Sequence, residues 1–363
     1  MFVAKKIKAY LLRFFTRKKE INFDIKDVKK VLFFRYDRIG DMVITTPVFR
    51  ELKLFFPDIR ISVLASKANQ SVLSENPYIE KVYVNHKNRL LSDLRTLFIL
   101  RKKNFDACIE FDHSVIPHAI LRLKIVNPKI VISVSKQGRY GVKGSELMLY
   151  DFYTEKKNGL HFRDIWLETL SPFGIKPKSN HYDLFSTNAQ KKVAYNFISK
   201  YHDKFLIGIN LEGAVKGKKI DYEDLEKICR SLFEVHNNIK IIVLSAPNNF
   251  QRVQKIIIKM GLNYVINSYK TNTIMDIVAL INQMDLIITP DTSISHIASA
   301  FNKPVVTIHE NNQDSYQLFA PTSNLNRTVF SKSRNSLNGF SLDELIAHCL
   351  ELIKLKKQVD YEQ

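Results

Sequence analysis

The sequence predicts an α/β protein of two successive domains, each built around a parallel sheet. Its 363 residues are too many for one ordinary domain, and 45% of them are hydrophobic, which is enough for two cores. Short β-rich runs alternate with helical patterns from residue 28 onwards, become irregular over 136–185, and then alternate again. Strands that are apolar throughout and alternate with helices are typical of parallel sheets covered by helices on both faces.

The first predicted domain covers residues 28–180 and begins with a series of β-rich runs. Pro47 favours a helix that starts there, because proline fits the first helical turn. Residues 35–42, which precede this helix, are therefore expected to form a loop. The strands are VKKVLFFRY (28–36), IRISVLAS (59–66), IEKVYVN (79–85), FDACIEFD (105–112) and KIVISVS (129–135), with helices over 47–57, 71–77, 92–104 and 116–125.

The second predicted domain covers residues 181–363 and follows a linker rich in turn residues, SPFGIKPKSN. Trp166, the only tryptophan, lies before the linker in a helical-looking stretch. Ligands of open α/β sheets bind beyond the carboxyl ends of the strands, so both domains are expected to face a cleft between them. The strands are KFLIGINL (204–211), KIIVLSAP (240–247), DLIITP (285–290) and KPVVTIHE (303–310), with helices over 220–236, 249–261, 273–284 and 341–357 and a short one from near Ser293.

The chain is strongly basic, with 55 Lys and Arg residues against 36 Asp and Glu, a formal net charge of +19. Such an excess indicates nucleic acid or an anionic membrane as partner, unless it is only a solvated surface. Zinc-finger spacing and an RNP-like aromatic strand are missing, so no nucleic-acid partner is expected. Three separated cysteines predict neither a disulfide framework nor a zinc site, and they favour a reducing, cytosolic setting.

Residues 1–27 form a basic N-terminal segment, whose first 20 residues include seven basic and one acidic residue. The stretch is too short and too interrupted to span a bilayer, and no signal-peptide cleavage pattern follows it. We expect an amphipathic helix at the surface of an anionic leaflet; the alternative is a helix docked on the protein itself. Its apolar residues at helical spacing are Ile7, Tyr10, Leu11, Phe14 and Phe15.

The stretch FFRYDRIGDM (33–42) places charged residues where the first strand should give way to a helix. Gly40 allows a tight turn or the close approach of a ligand. Asp41 lies at or near a helix N-terminus, where a carboxylate is either an N-cap or a catalytic group. Capping a helix requires only one side-chain acceptor, so it does not explain why Arg35 and Arg38 lie beside two aspartates.

A second polar cluster, Asp291, Thr292 and Ser293, follows a strand and opens a short helix with His296 on its first turns. Backbone N–H groups and hydroxyls at such a helix N-terminus suit a phosphate or pyrophosphate. The alternative is an ordinary N-cap together with a buried histidine.

A third segment, LEGAVKGKKIDYEDL (211–225), has two glycines and three lysines ahead of a helix. This arrangement is a phosphate cradle in outline, although it lacks the Walker spacing, which excludes a P-loop. The alternative is an ordinary charged surface. The residues are Gly213, Lys216, Gly217, Lys218 and Lys219.

These segments together resemble a known family. RYDRIGDMVITTPVFRELKLFFPDIRISVL closely resembles the opening of glycosyltransferase family 9, the ADP-heptose:lipopolysaccharide heptosyltransferases. DTSISHIASAFNKPVV is similar to the family's second signature, D-T-G-x-x-H-x-A-A followed by K-P, and IGINLEGAVKGKKIDYEDL to its donor-phosphate loop. The resemblance covers roughly residues 30–330, with the three segments in the same order and spacing. It implies a GT-B fold, in which two Rossmann-like domains face a central cleft.

The resemblance also implies roles for single residues. Asp41 matches the catalytic carboxylate, a general base that takes the proton of the acceptor hydroxyl. The implied reaction is inverting: the acceptor oxygen attacks the anomeric carbon as the nucleoside diphosphate leaves. The residues that match donor and phosphate binding are Lys218, Asp291, Thr292, Ser293 and His296. Those that match support of the acceptor or of the loop are Arg35, Arg38 and Gly40.

No metal and no other cofactor is expected for this reaction, because the helix N-terminus and Lys218 would offset the charge of the leaving group. No Asp-x-Asp motif is present; Glu110-Phe111-Asp112 comes closest, at a strand end in the first domain. Three departures from the family pattern leave the exact donor open. Ser293 replaces a glycine, Glu212 a proline and Ile220 a tryptophan. The loop SAPNNF (245–250) also lacks the glycines and the acid often found at the ribose position.

The sequence therefore predicts a cytoplasmic enzyme, peripherally bound to the inner face of the cytoplasmic membrane, that transfers heptose from ADP-heptose to the lipid A–Kdo inner core of lipopolysaccharide. Its expected partners are a nucleotide-sugar donor, a phosphorylated glycolipid acceptor and the anionic membrane surface. One alternative is the same fold using a UDP-sugar, such as N-acetylhexosamine, on a core or surface polysaccharide. A second is a non-catalytic protein that binds sugar nucleotides or membranes, against which the joint presence of Asp41, Lys218 and Asp291 argues.

Overall fold

The computed structural model describes residues 9–14, 16, 23–86, 89–154, 159–211, 213 and 219–361, with side chains as far as residue 358. The chain divides into two compact units, Met1–Asn180 and His181–Gln363. Each unit is built around a six-stranded sheet whose neighbouring strands are all parallel. The predicted α/β class with parallel sheets is confirmed.

The sheet of the first unit is formed by β1 (Lys30–Arg35), β2 (Arg60–Ser66), β3 (Lys81–Asn85), β4 (Ala107–Glu110), β5 (Ile130–Ser133) and β6 (Phe152–Tyr153). Its strand order is β3-β2-β1-β4-β5-β6. Successive strands are added on one side of β1 as far as β3 and then on the other side from β4. The strand order therefore reverses between β1 and β4.

Helices cover both faces of this sheet: α1 (residues 9–14 and 16), α2 (Ile39–Phe55), α3 (Leu90–Lys102), α4 (Pro117–Val126) and α5 (Phe162–Leu167). Phe33 of β1 packs edge-on against Phe49 of α2, with ring centres 4.9 Å apart. Leu32 and Phe34 point the other way, because successive side chains of a strand alternate. They share one core with α1, α3 and α4. Helix α2 thus covers one face, and α1, α3 and α4 cover the other.

The predicted start of a helix at Pro47 is wrong, since α2 begins at Ile39 and Pro47 lies in its interior. Proline cannot donate a hydrogen bond to the carbonyl four residues earlier, which is that of Val43. The hydroxyl of Thr46 donates to this carbonyl instead, at 2.7 Å. The loop expected over 35–42 is accordingly shorter, and Gly40 and Asp41 lie in the first turn of α2.

Helix α1 packs on the first unit through one side. Ala9, Leu12 and Thr16 are buried, and Arg13 donates to Glu146 at 3.0 Å. This part of the N-terminal segment is therefore a helix docked on the protein, which the sequence left as an alternative. Ile7 and Phe15 lie outside the described residues. In the part of the chain that the structure describes, no helix is both long and apolar enough to cross a bilayer.

The sheet of the second unit is formed by β7 (Phe205–Asn210), β8 (Ile239–Leu244), β9 (Val265–Asn267), β10 (Leu286–Pro290), β11 (Val305–His309) and β12 (Asn326–Phe330). Its strand order is β12-β11-β10-β7-β8-β9, so the order reverses between β7 and β10. The helices are α6 (Asn188–Ile198), α7 (Tyr222–Val235), α8 (Phe250–Met260), α9 (Ile274–Ile281), α10 (Ser293–Ala300), α11 (Gln313–Phe319) and α12 (Leu342–Tyr361).

Five elements were not predicted from the sequence: β6, β9, β12, α6 and α11. The strands β6 and β9 have only two and three residues, and they are defined by pairing with β5 and β8. Helix α6 buries only Ala194 and Ile198, so its apolar pattern is weak. Short or polar elements depend on their neighbours in space, which a local pattern does not contain.

Candidate functional site

The loop between β1 and α2 lies where the strand order of the first sheet reverses. The connections that follow β1 and β4 leave neighbouring strands in opposite directions, and such switch points form the crevices in which α/β proteins bind ligands. The charged residues of the first motif lie in this loop and in the first turn of α2. The end of β4 adds Asp112 and His113.

Asp41 caps the N-terminus of α2. Its Oδ2 accepts a hydrogen bond from the backbone N–H of Arg38 at 3.2 Å, which satisfies one donor near the helix start. Its Oδ1 lies 3.8 Å from Nη2 of Arg35, and the side chain is 15% exposed. The capping role that the sequence allowed is therefore present, while one carboxylate oxygen lies beside a guanidinium and the side chain remains partly accessible.

Arg35 is a buried cation, 3% exposed, at the end of β1. Its guanidinium carbon lies 3.7 Å from the centre of the Trp166 ring and 5.1 Å from that of Phe111. Its Nη1 pairs with Asp37 at 3.0 Å, and its Nε donates to the carbonyl of Asp41 at 3.2 Å. Stacking and hydrogen bonds together fix the plane of the guanidinium. Arg35 thus joins the end of the strand to the first turn of α2.

Trp166 is itself held from two sides. Phe162, one turn earlier in α5, stacks on it with ring centres 5.1 Å apart. The indole Nε1 donates to Nε2 of His113 at 3.1 Å, a bond that requires a neutral imidazole. Burial, followed by the charges of Arg35 and Lys136, lowers the pKa of His113 to about 4. The imidazole is therefore neutral at physiological pH and keeps the indole in place.

The backbone of the β1–α2 loop is held by Asn69, which is fully buried. Its Nδ2 donates to the carbonyl of Arg35 at 3.0 Å and to that of Arg38 at 3.4 Å. Its Oδ1 accepts from the backbone N–H of Ser66 at 2.8 Å. Because one side-chain amide binds both ends of the loop, the loop has a defined conformation.

A second charged group lies at the end of β4. Glu110 is buried, pairs with Lys136 and accepts from the hydroxyl of Ser133 at 2.6 Å. Burial, followed by the charge of Glu110, raises the pKa of Asp112 to about 7. The segment that came closest to Asp-x-Asp thus has its first carboxylate engaged by a lysine. No group of three or more His, Cys, Asp or Glu side chains among the described residues could hold a metal ion.

Asn69, His113, Lys136 and Trp166 are residues of this site that the sequence did not predict. His113 has a usable signal, because it follows the end of β4, and strand ends are where α/β sites form. Trp166 was distinguished only by being the sole tryptophan. Lys136 and Trp166 lie far along the chain from residue 35, and only the folded sheet brings them to it.

In the second unit, the predicted donor-site residues lie where β10 gives way to α10. Thr292 is the N-cap of α10, and its Oγ1 accepts from the backbone N–H of Ile294 at 3.2 Å. Asp291 precedes the cap, Ser293 is the first helical residue, and all three are half-buried. The predicted placement of this motif at a strand-to-helix junction is confirmed.

The hydroxyl of Thr292 belongs to a neutral polar network. Nδ2 of Asn210, the last residue of β7, donates to Oγ1 of Thr289 at 3.0 Å and to Oγ1 of Thr292 at 3.2 Å. The two threonine oxygens lie 3.1 Å apart. On the other side of the junction, Nε2 of His309 lies 3.4 Å from Oδ2 of Asp291. These contacts connect the ends of β7, β10 and β11 to the start of α10.

The predicted phosphate loop begins against this same helix start. A Cβ on Gly213 would lie 2.6 Å from Cγ2 of Thr292, so the close approach requires glycine. The backbone N–H of Ile220 donates to the carbonyl of Leu211 at 2.7 Å and joins the two ends of the loop. Two segments predicted separately from the sequence therefore meet at Thr292. Lys216, Gly217 and Lys218 lie outside the described residues.

His296 lies inside the second unit, at 4% exposure. Its ring centre is 6.3 Å from that of Tyr182 and 6.4 Å from that of Phe319. This burial agrees with the alternative that the sequence left open, a core histidine. Its place in donor binding stays a prediction.

Comparison with known proteins decides the family. The model of glycosyltransferase family 9 (heptosyltransferase) matches residues 97–344, which is more than half of the chain. The protein belongs to glycosyltransferase family 9. Lipopolysaccharide heptosyltransferase 1 of Campylobacter coli is 22% identical to it over 295 residues, 77% of this chain and 83% of that protein.

Solved structures of family 9 proteins agree with this assignment. A family 9 glycosyl transferase from Veillonella parvula has a TM-score of 0.74 at 18% identity, over 92% of this chain and 99% of that one. The E. coli heptosyltransferase WaaC, solved with ADP, has a TM-score of 0.68 at 15% identity, over 89% of this chain and 99% of that one. These likenesses confirm the predicted GT-B fold of this family 9 glycosyltransferase.

Proposed function

We propose that this glycosyltransferase moves heptose from ADP-heptose to the lipid A–Kdo inner core of lipopolysaccharide. The observation that carries the proposal is the family 9 match. The name of the Campylobacter coli relative, a lipopolysaccharide heptosyltransferase, supports the sugar and the acceptor class. The structure of WaaC with ADP supports the nucleotide.

In the proposed mechanism, Asp41 is the general base. Its carboxylate takes the proton of the acceptor hydroxyl while the acceptor oxygen bonds to the anomeric carbon. The bond from that carbon to the diphosphate oxygen breaks, and its electron pair leaves with the diphosphate. Attack opposite the leaving group inverts the anomeric centre. The partial exposure of Asp41 at a switch point of the sheet supports this role.

Arg35 is proposed as a positioning residue for Asp41. Its guanidinium stacks on Trp166 and donates to the backbone carbonyl of Asp41, so it fixes the first turn of α2. Arg38 contributes its backbone N–H to the Asp41 carboxylate. Gly40, in the same turn, carries no side chain that could block the approach of the acceptor to Asp41.

The diphosphate of the donor is proposed to bind at the N-terminus of α10. Ser293 is the first residue of this helix, and the backbone N–H groups of a helix N-terminus stabilise a negative charge. Lys218, from the loop that meets Thr292, is proposed to stabilise the negative charge that develops on the departing diphosphate. Asp291 and Thr292 shape the junction, and His296 supports it from inside the unit. In this proposal the reaction needs no metal.

The proposed acceptor is a phosphorylated glycolipid, which would place the enzyme at the inner face of the cytoplasmic membrane. A protein that meets its acceptor there needs a surface that binds anionic lipid, and the net charge of +19 is suited to such a surface.

Isothermal titration with ADP, UDP and GDP, in the presence of EDTA, tests the donor. Selective binding of ADP, weakened about tenfold or more by Lys218→Ala, is the expected result. Selective binding of UDP would retain the transferase but move the donor to a hexose or N-acetylhexosamine. Binding of none of the three would favour the non-catalytic alternative, and a requirement for added Mg²⁺ would contradict metal independence.

A further inference from the structure

We propose that the outer surface of α1, α3 and α4 docks the protein on an anionic phospholipid bilayer. This surface, here the α1–α3–α4 face, lies wholly within the first unit. The inference rests on the proposed function, for which it identifies the surface that meets the membrane. It goes beyond the basic N-terminal segment, because two of the three helices lie outside that segment.

Exposed apolar side chains are concentrated on this face. Sixteen large apolar side chains of the described residues are exposed, and eight of them lie on these three short helices. The described residues of the second unit include four, which are dispersed over α6, α7 and α8. Scattered exposed apolar residues are ordinary, whereas a concentration marks an interaction surface. The eight are Tyr10, Leu11, Phe14, Leu90, Leu91, Phe98, Ile99 and Leu121.

The three helices share one face of the sheet. Their inner sides bury Ala9, Leu97 and Leu123 in the same core as Phe34 of β1. Helices α3 and α4 are also joined by an ion pair of Arg122 with Asp93 and by a hydrogen bond from Arg101 to the carbonyl of Ile125, both at 2.9 Å. The outer sides of α3 and α4 therefore form one continuous surface, and α1 packs on the same face of the sheet.

Helix α3 shows the pattern most clearly. Leu91, Arg95, Phe98 and Lys102 are all exposed, and they follow each other at i, i+4, i+7 and i+11 along one side of the helix. Leu91 is 83% exposed and Phe98 is 54% exposed. A stripe that alternates apolar and cationic side chains matches the boundary between lipid headgroups and acyl chains, where both kinds of group are stabilised.

Helix α1 adds a second stripe of the same character. Its side toward the protein buries Ala9 and Leu12, whereas Tyr10, Leu11 and Phe14 are 69%, 45% and 54% exposed. Three of the five apolar residues that the sequence assigned to a membrane-facing side therefore point away from the core, and the other two, Ile7 and Phe15, lie outside the described residues. Aromatic side chains of this kind favour the interfacial region of a bilayer.

The charge of the face selects lipid over a second copy of the chain. Within α3 and α4 the basic residues are Arg95, Arg101, Lys102, Arg122 and Lys124, and the only acidic residue, Asp93, is paired with Arg122. In the sequence, residues 1–20, which include α1, contain seven basic residues and one acidic residue. Two identical faces of this charge would repel each other in a symmetric dimer, whereas an anionic leaflet attracts them.

Substitution of exposed residues tests the membrane-docking proposal better than deletion of the N-terminal segment. Deleting residues 1–20 would remove Ala9 and Leu12 from the core of the first unit, so loss of binding would be confounded with loss of stability. The double variant Leu91→Ser/Phe98→Ser changes only exposed side chains. The matched control is Val193→Ser/Tyr195→Ser, whose side chains on α6 are 50% and 60% exposed.

The experiment is co-sedimentation of the full chain with vesicles of phosphatidylcholine, with and without phosphatidylglycerol. We expect binding only to vesicles that contain phosphatidylglycerol, reduced about tenfold or more by Leu91→Ser/Phe98→Ser and unchanged in the control. Replacement of cations, Arg95→Gln/Lys102→Gln, should weaken binding and its dependence on salt. Equal loss in the control, or no binding by the full chain, would overturn the proposal.

Two further measurements separate this proposal from its competitors. Analytical ultracentrifugation that showed a dimer, abolished by Leu91→Ser/Phe98→Ser, without vesicle binding would assign the face to a second copy instead. Sugar transfer to a deacylated, soluble acceptor should be the same in this variant and in the unsubstituted chain. Absence of transfer in both, together with the expected vesicle binding, would contradict the proposed function and leave the docking surface standing.

Discussion

The candidate base in the first unit and the candidate phosphate site in the second differ in the side chains that hold their helix N-termini. Beside Asp41 lies one buried cation, Arg35, which is 3% exposed and stacks on the ring of Trp166. Around Thr292, an amide and two hydroxyls surround a helix N-terminus. A buried charge needs all its partners, whereas neutral donors leave a smaller penalty when one is lost. We therefore expect substitutions in the first unit to have the larger effects.

The largest effect is expected from Asp41→Asn. The amide keeps an oxygen for the cap to Arg38 but cannot take a proton, so kcat should fall by about 10³-fold while ADP affinity stays unchanged. Steady-state kinetics and calorimetry measure the two quantities. Asp37→Asn, which also removes a carboxylate beside Arg35, is the control and should retain more activity. A kcat within tenfold of the unsubstituted enzyme would remove Asp41 as the base.

A smaller loss is expected when the support of Arg35 is weakened. Trp166→Phe keeps an aromatic ring but loses the N–H that binds His113, so kcat should fall about tenfold with ADP affinity unchanged. Arg35→Lys, which keeps the charge but not the planar fork, should have a similar effect. Urea unfolding shows whether the variants are folded at the assay temperature. Full activity of both variants would show that the stacking of Arg35 on Trp166 does not position Asp41 for catalysis.

In the second unit, Thr292→Val should act mainly on donor binding. It removes the cap of α10 and the bond from Asn210, which should cost about 1 kcal/mol of unfolding free energy and weaken ADP binding by about fivefold. Thr187→Val is a matched control, since Thr187 caps α6 by accepting from the N–H of Gln190 at 3.1 Å. Both variants should lose stability, but only the first should lose affinity.

The last prediction concerns the dependence of stability on pH. Burial raises the pKa of Asp112 from its ordinary 3.8 to about 7. Between these values the folded protein retains a proton that the unfolded chain releases, so this group lowers the free energy of unfolding as pH rises through that window. Asp112→Asn removes this group. The difference in unfolding free energy, variant minus unsubstituted protein, should therefore increase from pH 5 to pH 8. Urea unfolding at both pH values measures this; Thr292→Val, which removes no titrating group, should show no such trend.

Much of the architecture could be predicted from the sequence because it depends on local pattern. Apolar runs of strand length, alternating with helical patterns, determined the α/β class with parallel sheets. Polar residues directly after strands marked both parts of the candidate site, since the carboxyl ends of parallel strands share one edge of a sheet. The short strand β6 and the polar helix α6 escaped this reasoning, because their own residues contain little apolar signal.

The start of α2 shows where local rules were insufficient. Proline at position 47 predicted a helix start, yet the hydroxyl of Thr46 satisfies the carbonyl that proline leaves without a donor, and the helix continues through it. Asp41, which was expected at or near the helix N-terminus, therefore lies within the first turn of α2. One side-chain hydrogen bond thus allows the helix to pass through Pro47 and to include the candidate base.

The sequence by itself determined the fold class, the family resemblance and the position of both motifs shortly after strands, because periodicity and motif spacing are properties of neighbouring residues. Only the tertiary structure placed Trp166 over Arg35, engaged Glu110 with Lys136 and turned Tyr10, Leu11 and Phe14 away from the core. Those features depend on contacts between residues far apart in the chain. Such contacts form only when the sheet brings separate strands and helices together, and no local pattern encodes them.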